Sequence, residues 1–368
     1  MQKTIVVIAV LLVILGGWYL ARSKSEPGNI KVGFIAPLTG DASALGVATK
    51  AAVEVAVEEI NNSGGINGSK LKVIYEDGQC NAKAAVTAGN KLISIDKVPV
   101  IIGGLCSTET SAFAPAAMQN KVLVFSPCSS APSLSNLGKY FFRSYPSDAY
   151  QGKFAAEYAY NDLKARKVAI GYHISDWGTG IKEIFETRFK ELGGQVVAEE
   201  GAPQDARDYR TLLGKLKAAK PDLIYLPTYP DGGIVAITQA NELGIKTKIF
   251  GGDGWDDPKF VKAVSGKGDL IFSVAATREP AGEFRQKVLA KTNGEQVPLC
   301  APQAYDNLKM LAEVMKKVGL DPDKMQAELR SMHYDGVSGS ISFDKNGDLT
   351  TVAYVVKRIE NGTVVEIK

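Results

Sequence analysis

The chain has 368 residues, of which 45% are hydrophobic and 23% charged, with a formal net charge of +3. That is ordinary composition for a globular α/β protein, with room for two lobes and a substantial core. No long basic run occurs, which excludes nucleic acid as a partner. Two His and four Cys without a C-x-x-C exclude the common zinc sites.

Residues 1–28 form a signal or anchor segment and linker. Met1-Gln2-Lys3 is a short basic start, Thr4 to Leu20 is almost wholly apolar, and Arg22 and Lys24 follow. A small-x-small cleavage site is hard to find around Tyr19-Leu20-Ala21, and no cysteine is available as a lipid acceptor before Cys80. The segment reads as an uncleaved anchor in the membrane, with a cleaved signal peptide as the alternative; both place the rest outside the cytoplasm.

The folded part begins with a strand at Ile30–Ala36 and the turn Pro37-Leu38-Thr39-Gly40. A helix follows at about Leu45–Asn61, stopped by Asn62-Ser63-Gly64-Gly65. A strand at Leu71–Glu76 and a helix from about Asn81 to Ile95 come next. The stretch Val98–Leu134 then organises the rest. Its strands, Val98–Gly103 and Val122–Ser126, each end in a small polar cluster, Leu105-Cys106-Ser107-Thr108-Glu109 and Pro127-Cys128-Ser129-Ser130. The helix between them, from Ser107 to about Gln119, is expected to be capped by Ser107 or Thr108. Strand–helix–strand is the parallel crossover, whose ligands bind outside the carboxyl ends of the strands. Serine hydroxyls at a helix start suit a small anion such as a carboxylate.

Tyr140 to Tyr150 reads as a connection between lobes, after which the β-α rhythm restarts. Helices are expected at Gln151–Leu163, after Asp176-Trp177-Gly178, at Tyr209–Ala219 and at Gly232–Leu243. Strands are expected at Lys167–Tyr172, Val196–Glu199, Asp222–Leu226 and Lys248–Gly251. Toward the C-terminus, Gln303–Val318 is an amphipathic helix. Ile341–Phe343 and Val352–Ile359 look like antiparallel partners, followed by a hairpin turn at Asn361-Gly362. The expected fold class is therefore α/β, with two doubly wound parallel-sheet lobes joined by a hinge. An even cysteine count in an exported chain suggests two disulfides. Cys80 and Cys106 each follow the end of one of two strands expected to be neighbours and are expected to pair; a bridge between Cys128 and Cys300 is a second, separate expectation.

Enzymatic readings find little support. His173-Ile174-Ser175-Asp176 is contiguous and cannot form a triad, and no G-x-S-x-G occurs. Asp344-Lys345-Asn346-Gly347-Asp348 is read as a hairpin turn, not a calcium loop. Nucleotide-binding glycine motifs are absent, so no cofactor is expected.

From Ile30 to Lys368 the chain resembles the solute-binding proteins of branched-chain amino acid ABC transporters, which have the type I periplasmic-binding-protein fold. The resemblance rests on Lys31–Gly40, the Gly-Gly-Ile-x-Gly of Asn61–Gly68, Ile101–Ser107, Pro146–Gly152, Asp176-Trp177-Gly178, Gly251–Gly254 and Phe343–Asp348. It implies a monomeric carrier of a free amino acid, working with ABC permease subunits. By the same resemblance, residues 29–146 with 277–351 would form the N-terminal lobe, and 147–276 with 352–368 the C-terminal lobe.

The ligand-binding residues it implies are Ser107, Cys128, Ser129, Ser130, Trp177, Tyr229, Asp253, Leu45, Leu105 and Cys300. Ser107 and Ser130 would hold the α-carboxylate. The Cys128 carbonyl, the Ser130 hydroxyl and Asp253 would meet the α-ammonium. Trp177 and Tyr229 would cover the ligand, while Leu45, Leu105 and Cys300 line the side-chain pocket. Where the family often has aromatic bulk, this chain has Leu45 and Cys300. A Cys128–Cys300 disulfide beside the ligand would change which side chain fits.

Overall fold

The computed structural model describes residues 28–40, 42–294 and 296–368. The expected anchor or signal segment falls on residues 1–27 and lies outside them. No helix among the described residues is long and apolar enough to cross a membrane.

The first half contains β1 (Ile30–Ala36), α1 (Ser43–Asn62), β2 (Leu71–Asp77), α2 (Ala82–Asn90), β3 (Val100–Gly103), α3 (Ser107–Gln119), β4 (Leu123–Ser126) and β5 (Phe141–Arg143). Its five strands form one parallel sheet, ordered β2-β1-β3-β4-β5. α2 runs on through a π-type turn at Lys91–Ile95, which accounts for the longer helix expected there. β5, expected only as part of a connection, is the edge strand of this sheet.

The second half contains α4 (Asp148–Glu157), β6 (Lys167–Ile174), α5 (Asp176–Glu191), β7 (Gln195–Pro203), α6 (Arg210–Ala218), β8 (Leu223–Tyr225), α7 (Pro230–Glu242), β9 (Ile249–Gly251), α8 (Pro258–Ala263) and β10 (Leu270–Ala275). The chain then supplies α9 (Gly282–Thr292), α10 (Ala301–Val318), α11 (Pro322–Ser331), β11 (Tyr334–Gly336), β12 (Gly339–Ile341), β13 (Tyr354–Glu360) and β14 (Thr363–Glu366).

The second sheet runs β14-β13-β10-β9-β8-β6-β7. It adds to the expected parallel strands an antiparallel edge: β13 lies antiparallel to β10, and the hairpin expected at Asn361-Gly362 pairs β13 with β14. The expected pairing of Ile341–Phe343 with Val352–Ile359 is wrong. Ile341 pairs with Tyr334 in a separate two-stranded ribbon, and only an isolated bridge joins Phe343 to Leu349. Each segment pairs elsewhere: Ile341 with the strand just before it, and β13 with β14 after it and with β10 across the sheet.

Both sheets are sandwiched by helices, because their strands are apolar on both faces. In the first, Val32, Phe34, Ile102 and Phe125 pack toward α1 and α10, while Ile35, Ile101 and Val124 pack toward α2 and α3. In the second, Ala169, Ile224 and Phe272 face α6 and α7, while Val168, Ile170 and Phe250 face α4 and α5. The chain passes between the sheets three times: from β5 to α4, from β10 toward α9 and α10, and from Leu349 to β13. Tyr145, Ala275 and Tyr354 mark the three passages and gather in one small cluster with Cys300.

Candidate ligand-binding cleft

The cleft lies between the two sheets, where loops leave the carboxyl ends of parallel strands. Each wall is set by local chemistry. After β1, Asp77 at the end of β2 accepts hydrogen bonds from Leu38 N at 2.9 Å and the Thr39 hydroxyl at 2.5 Å, fixing the turn before α1. Gly46 makes this packing possible, since a Cβ there would lie 1.9 Å from Pro37 O. Leu45, in the first turn of α1, is thereby held against the cleft.

After β3, the expected serine or threonine cap is replaced by another arrangement. Cys106 occupies the N-cap, and Glu109 reaches back so that its carboxylate accepts from Leu105 N (3.0 Å), Cys106 N (3.1 Å) and Cys80 N (3.0 Å). Burial outweighs these three donors and raises its pKa to about 7. Ser107 is thus freed from capping, and its hydroxyl accepts from Ser130 N at 3.2 Å and Ala131 N at 3.1 Å, tying the loop after β4 to the start of α3. The N–H groups of Ser107 and Thr108 stand at a helix start, where no intrahelical acceptor reaches them.

Both expected disulfides are present, Cys80–Cys106 and Cys128–Cys300, each with its Cα atoms 5.3 Å apart. The second packs among Leu45, Leu299, Tyr145, Ala275 and Tyr354.

From the other side come Trp177 at the start of α5, Tyr229 before α7, and Asp253 after β9. The Trp177 and Tyr229 rings lie 4.7 Å apart at 33°. His173 fixes Tyr229 from beneath, its Nδ1 accepting from Tyr229 N at 3.2 Å while its Nε2 meets the Tyr209 hydroxyl at 2.8 Å. This is the structural role of the histidine in the His-Ile-Ser-Asp run. Asp253 is only 5% exposed, and burial raises its pKa to about 6, against the lowering effect of the Tyr145 hydroxyl and nearby backbone N–H groups. A direct bond between the halves closes one side: Asp176 N donates to the Thr108 hydroxyl at 3.3 Å.

The cavity left between these walls is small, about 60 Å³. Of the sequence-predicted residues, Leu45, Leu105, Ser107, Cys128, Ser130, Trp177, Tyr229 and Asp253 line it. Ser129 does not. Its hydroxyl turns into the loop, 2.7 Å from the Thr110 hydroxyl and donating to Gly104 O at 2.9 Å. Cys300 is wholly buried behind Cys128 and reaches the cleft only through the disulfide. Sequence reasoning missed Asp231, Asp256, Asp257, Lys259, Pro298 and Leu299 at the outer end. The run Asp256-Asp257-Pro258, a cap followed by a helix-starting proline, was the available signal for a further helix start near Asp253. Two of these acids are neutralised locally, Asp231 by Lys259 at 2.7 Å and Asp256 by Lys357 at 3.1 Å.

A family model described as "Periplasmic binding protein" matches residues 29–363. The chain belongs to the periplasmic binding protein family. It is thus a non-enzymatic solute-binding protein of the ABC-transporter type, and its family works outside the cytoplasm. A leucine-, isoleucine-, valine-, threonine- and alanine-binding protein of Pseudomonas aeruginosa is 27% identical over 337 residues, covering 89% of each chain. A leucine-binding protein of Thermotoga maritima superposes with a TM-score of 0.84 at 28% identity, covering 92% of this chain and 98% of its own. A branched-chain amino acid transporter substrate-binding protein of Streptococcus pneumoniae, in complex with isoleucine, gives a TM-score of 0.81 at 27% identity, covering 92% and 100%. These matches identify the fold as that of type I periplasmic binding proteins.

Proposed function

We propose that this periplasmic binding protein captures a free amino acid, of branched-chain or another small apolar type, and delivers it to the permease of an ABC importer. One observation carries the reading. A single cleft sets a helix start with serine hydroxyls against a buried carboxylate, and an apolar wall runs between them. The Ser107 and Thr108 N–H groups and the Ser130 hydroxyl suit an α-carboxylate. Asp253, with the Cys128 carbonyl, suits an α-ammonium. Leu45, Leu105, the Cys128–Cys300 disulfide, Trp177 and Tyr229 suit an apolar side chain. The alternative ligand class, amides or short aliphatic acids sensed by a receptor module, would leave Asp253 buried without a cation.

Residues 29–146 with 277–351, and 147–276 with 352–368, act as the two lobes of a monomer. The first takes the ligand, and the second closes because the ligand binds the closed form better. The apolar run from Thr4 to Leu20 supports an anchor that keeps the carrier beside its permease.

The test is thermal and calorimetric titration of the purified protein with each of the twenty amino acids, and with isocaproate as leucine without its ammonium. A ligand at a hundred times its Kd stabilises the fold by about 2.7 kcal/mol. Asp253→Asn is expected to weaken the amino acid by roughly a hundredfold or more, the cost of an ammonium buried without its counter-charge, and to leave isocaproate little changed. If no amino acid raises the midpoint, the amino-acid reading fails.

A further inference from the structure

The neighbouring strands β2, β1 and β3 end in loops that together carry a small buried apolar seat at the edge of the cleft. Ala42 comes from the turn after β1, Cys80 from the loop after β2 and Cys106 from the loop after β3, and they are only 5%, 6% and 2% exposed. Tyr229, from the other half of the chain, packs onto this cluster. Ala42, Cys106 and Tyr229 also line the ligand cleft together. Cys80 instead lines a polar groove of about 870 Å³ that runs between the halves beside Thr108, Ser175 and Asp176. The Cys80–Cys106 bridge thus joins the wall of the cleft to the wall of an outer groove, under an aromatic ring of the second sheet's half.

The seat is held stiffly. Asp77 ties the first two loops, accepting from Leu38 N at 2.9 Å and from Gln79 N at 3.0 Å. The second and third loops are tied twice, by the bridge itself and by Glu109, whose carboxylate accepts from both Cys80 N and Cys106 N. Gly78 admits that carboxylate, since a Cβ there would lie 2.2 Å from Glu109 Oε1. Gln79 and Cys80 both take left-handed backbone angles, with φ of 54° and 52°, sparsely populated values that persist where the surroundings fix them. Directly after Cys106 come Ser107 and Thr108 at the start of α3, and the Thr108 hydroxyl accepts the bond from Asp176 N across the cleft. One stretch of chain therefore carries the donors offered to the ligand, a polar contact to the other half, and the sulfur surface under Tyr229. Sulfur beside an aromatic ring is a favourable contact.

We propose that the Cys80–Cys106 bridge is the seat on which Tyr229 closes, so that oxidation of the bridge and closure of the lobes around the ligand support each other. This rests on the amino-acid carrier reading above. Cys80 and Cys106 act here as positioning residues, through Tyr229 and the start of α3. A closed cleft covers the sulfurs and shields them from an attacking thiolate, whereas parted lobes uncover them. By linkage, the factor by which the ligand disfavours reduction equals the factor by which reduction weakens the ligand. The redox step balances with a dithiol as reductant. It passes two electrons to the bridge and becomes a disulfide itself, while Cys80 and Cys106 each end as a thiol.

The experiment is reduction of the full protein by dithiothreitol, with free thiols alkylated at intervals and each bridge followed separately by peptide mass spectrometry. Without any ligand, Tyr229→Ala is expected to speed reduction of Cys80–Cys106 about threefold or more. Cys128–Cys300 is expected to keep its wild-type rate, the pattern of a lost cover and not of a loosened fold. A saturating amino acid is expected to slow reduction of Cys80–Cys106 about tenfold in the wild type, and much less in Tyr229→Ala. Conversely, Cys80→Ser/Cys106→Ser is expected to weaken the amino acid about tenfold, and Tyr229→Ala to cost less in that background than in the wild type, the non-additivity of groups in contact. Should the paired serine variant fail to fold, the reduction rates decide alone. Equal ligand-free rates in wild type and Tyr229→Ala, a rise shared by both bridges, or additive losses of affinity overturn the proposal. If Tyr229→Ala uncovers the bridge but no amino acid binds, the functional reading fails and the seat stands.

Discussion

Removing the disulfides one at a time tests whether the cleft wall also holds the two halves of the chain together. Cys80–Cys106 closes a loop of 26 residues within the first sheet's half. Cys128–Cys300 closes one of 172 residues, which contains β6 to β10 and so nearly the whole second sheet. In the chain-entropy account the first loop contributes about 3.5 kcal/mol and the second about 5.2 kcal/mol, a difference of ~1.7 kcal/mol set by the ratio of loop lengths. The paired variants Cys80→Ala/Cys106→Ala and Cys128→Ala/Cys300→Ala should therefore both unfold more readily, the second more so. The assay is urea denaturation under non-reducing conditions, with thiol-reduced wild type as the control for side-chain truncation. The long-loop variant is expected to lose about 1–2 kcal/mol more than the short-loop one. Equal losses, or the reverse order, would refute the entropy argument. The Cys128–Cys300 bridge would then matter through its packing against Leu45, Tyr145 and Tyr354 instead.

Two further outcomes concern closure and pH. Gly180 on α5 approaches the Pro132 turn of the other half so closely that a Cβ would lie 2.8 Å from Pro132 Cδ. Gly180→Val is expected to hold the lobes apart, weakening the ligand about tenfold or more without lowering the ligand-free melting point; unchanged affinity and unchanged ligand-induced compaction in small-angle scattering would remove this role. Glu109 keeps its proton in the folded state up to about pH 7 but releases it near 4.5 when unfolded. The folded state thus binds more protons in that window, and its stability falls as pH rises from about 4.5 to 7. The loss attributable to this group is on the order of 2–3 kcal/mol. Glu109→Gln should flatten the slope of stability against pH relative to wild type, read from denaturation midpoints between about pH 5 and 8. Parallel slopes for the two proteins would contradict it.

The sequence by itself determined the class of this protein. Short apolar strands alternating with helices, each strand followed by a small polar cluster, fit parallel crossovers, so the β-α rhythm announced a sheet with helices on both faces and ligand loops at one end. The polar clusters around Ser107 and Ser130 were legible because they follow such strands, whereas Trp177, Tyr229 and Asp253 were legible as site residues only through the family resemblance. Tertiary structure decided whatever depended on distant partners. The antiparallel pairing of β13 with β10, the inward turn of Ser129, and the retreat of Cys300 behind Cys128 follow from contacts between separate elements, which local pattern does not encode. Asp148 is the clearest case. In sequence it stands beside Ser147, whose hydroxyl caps α4 by accepting from Ala149 N at 3.3 Å. Only when the chain's passages between the sheets close over it does it become a wholly buried carboxylate. Burial and pairing of charge are properties of the assembled interior, and the order of residues along the chain does not contain them.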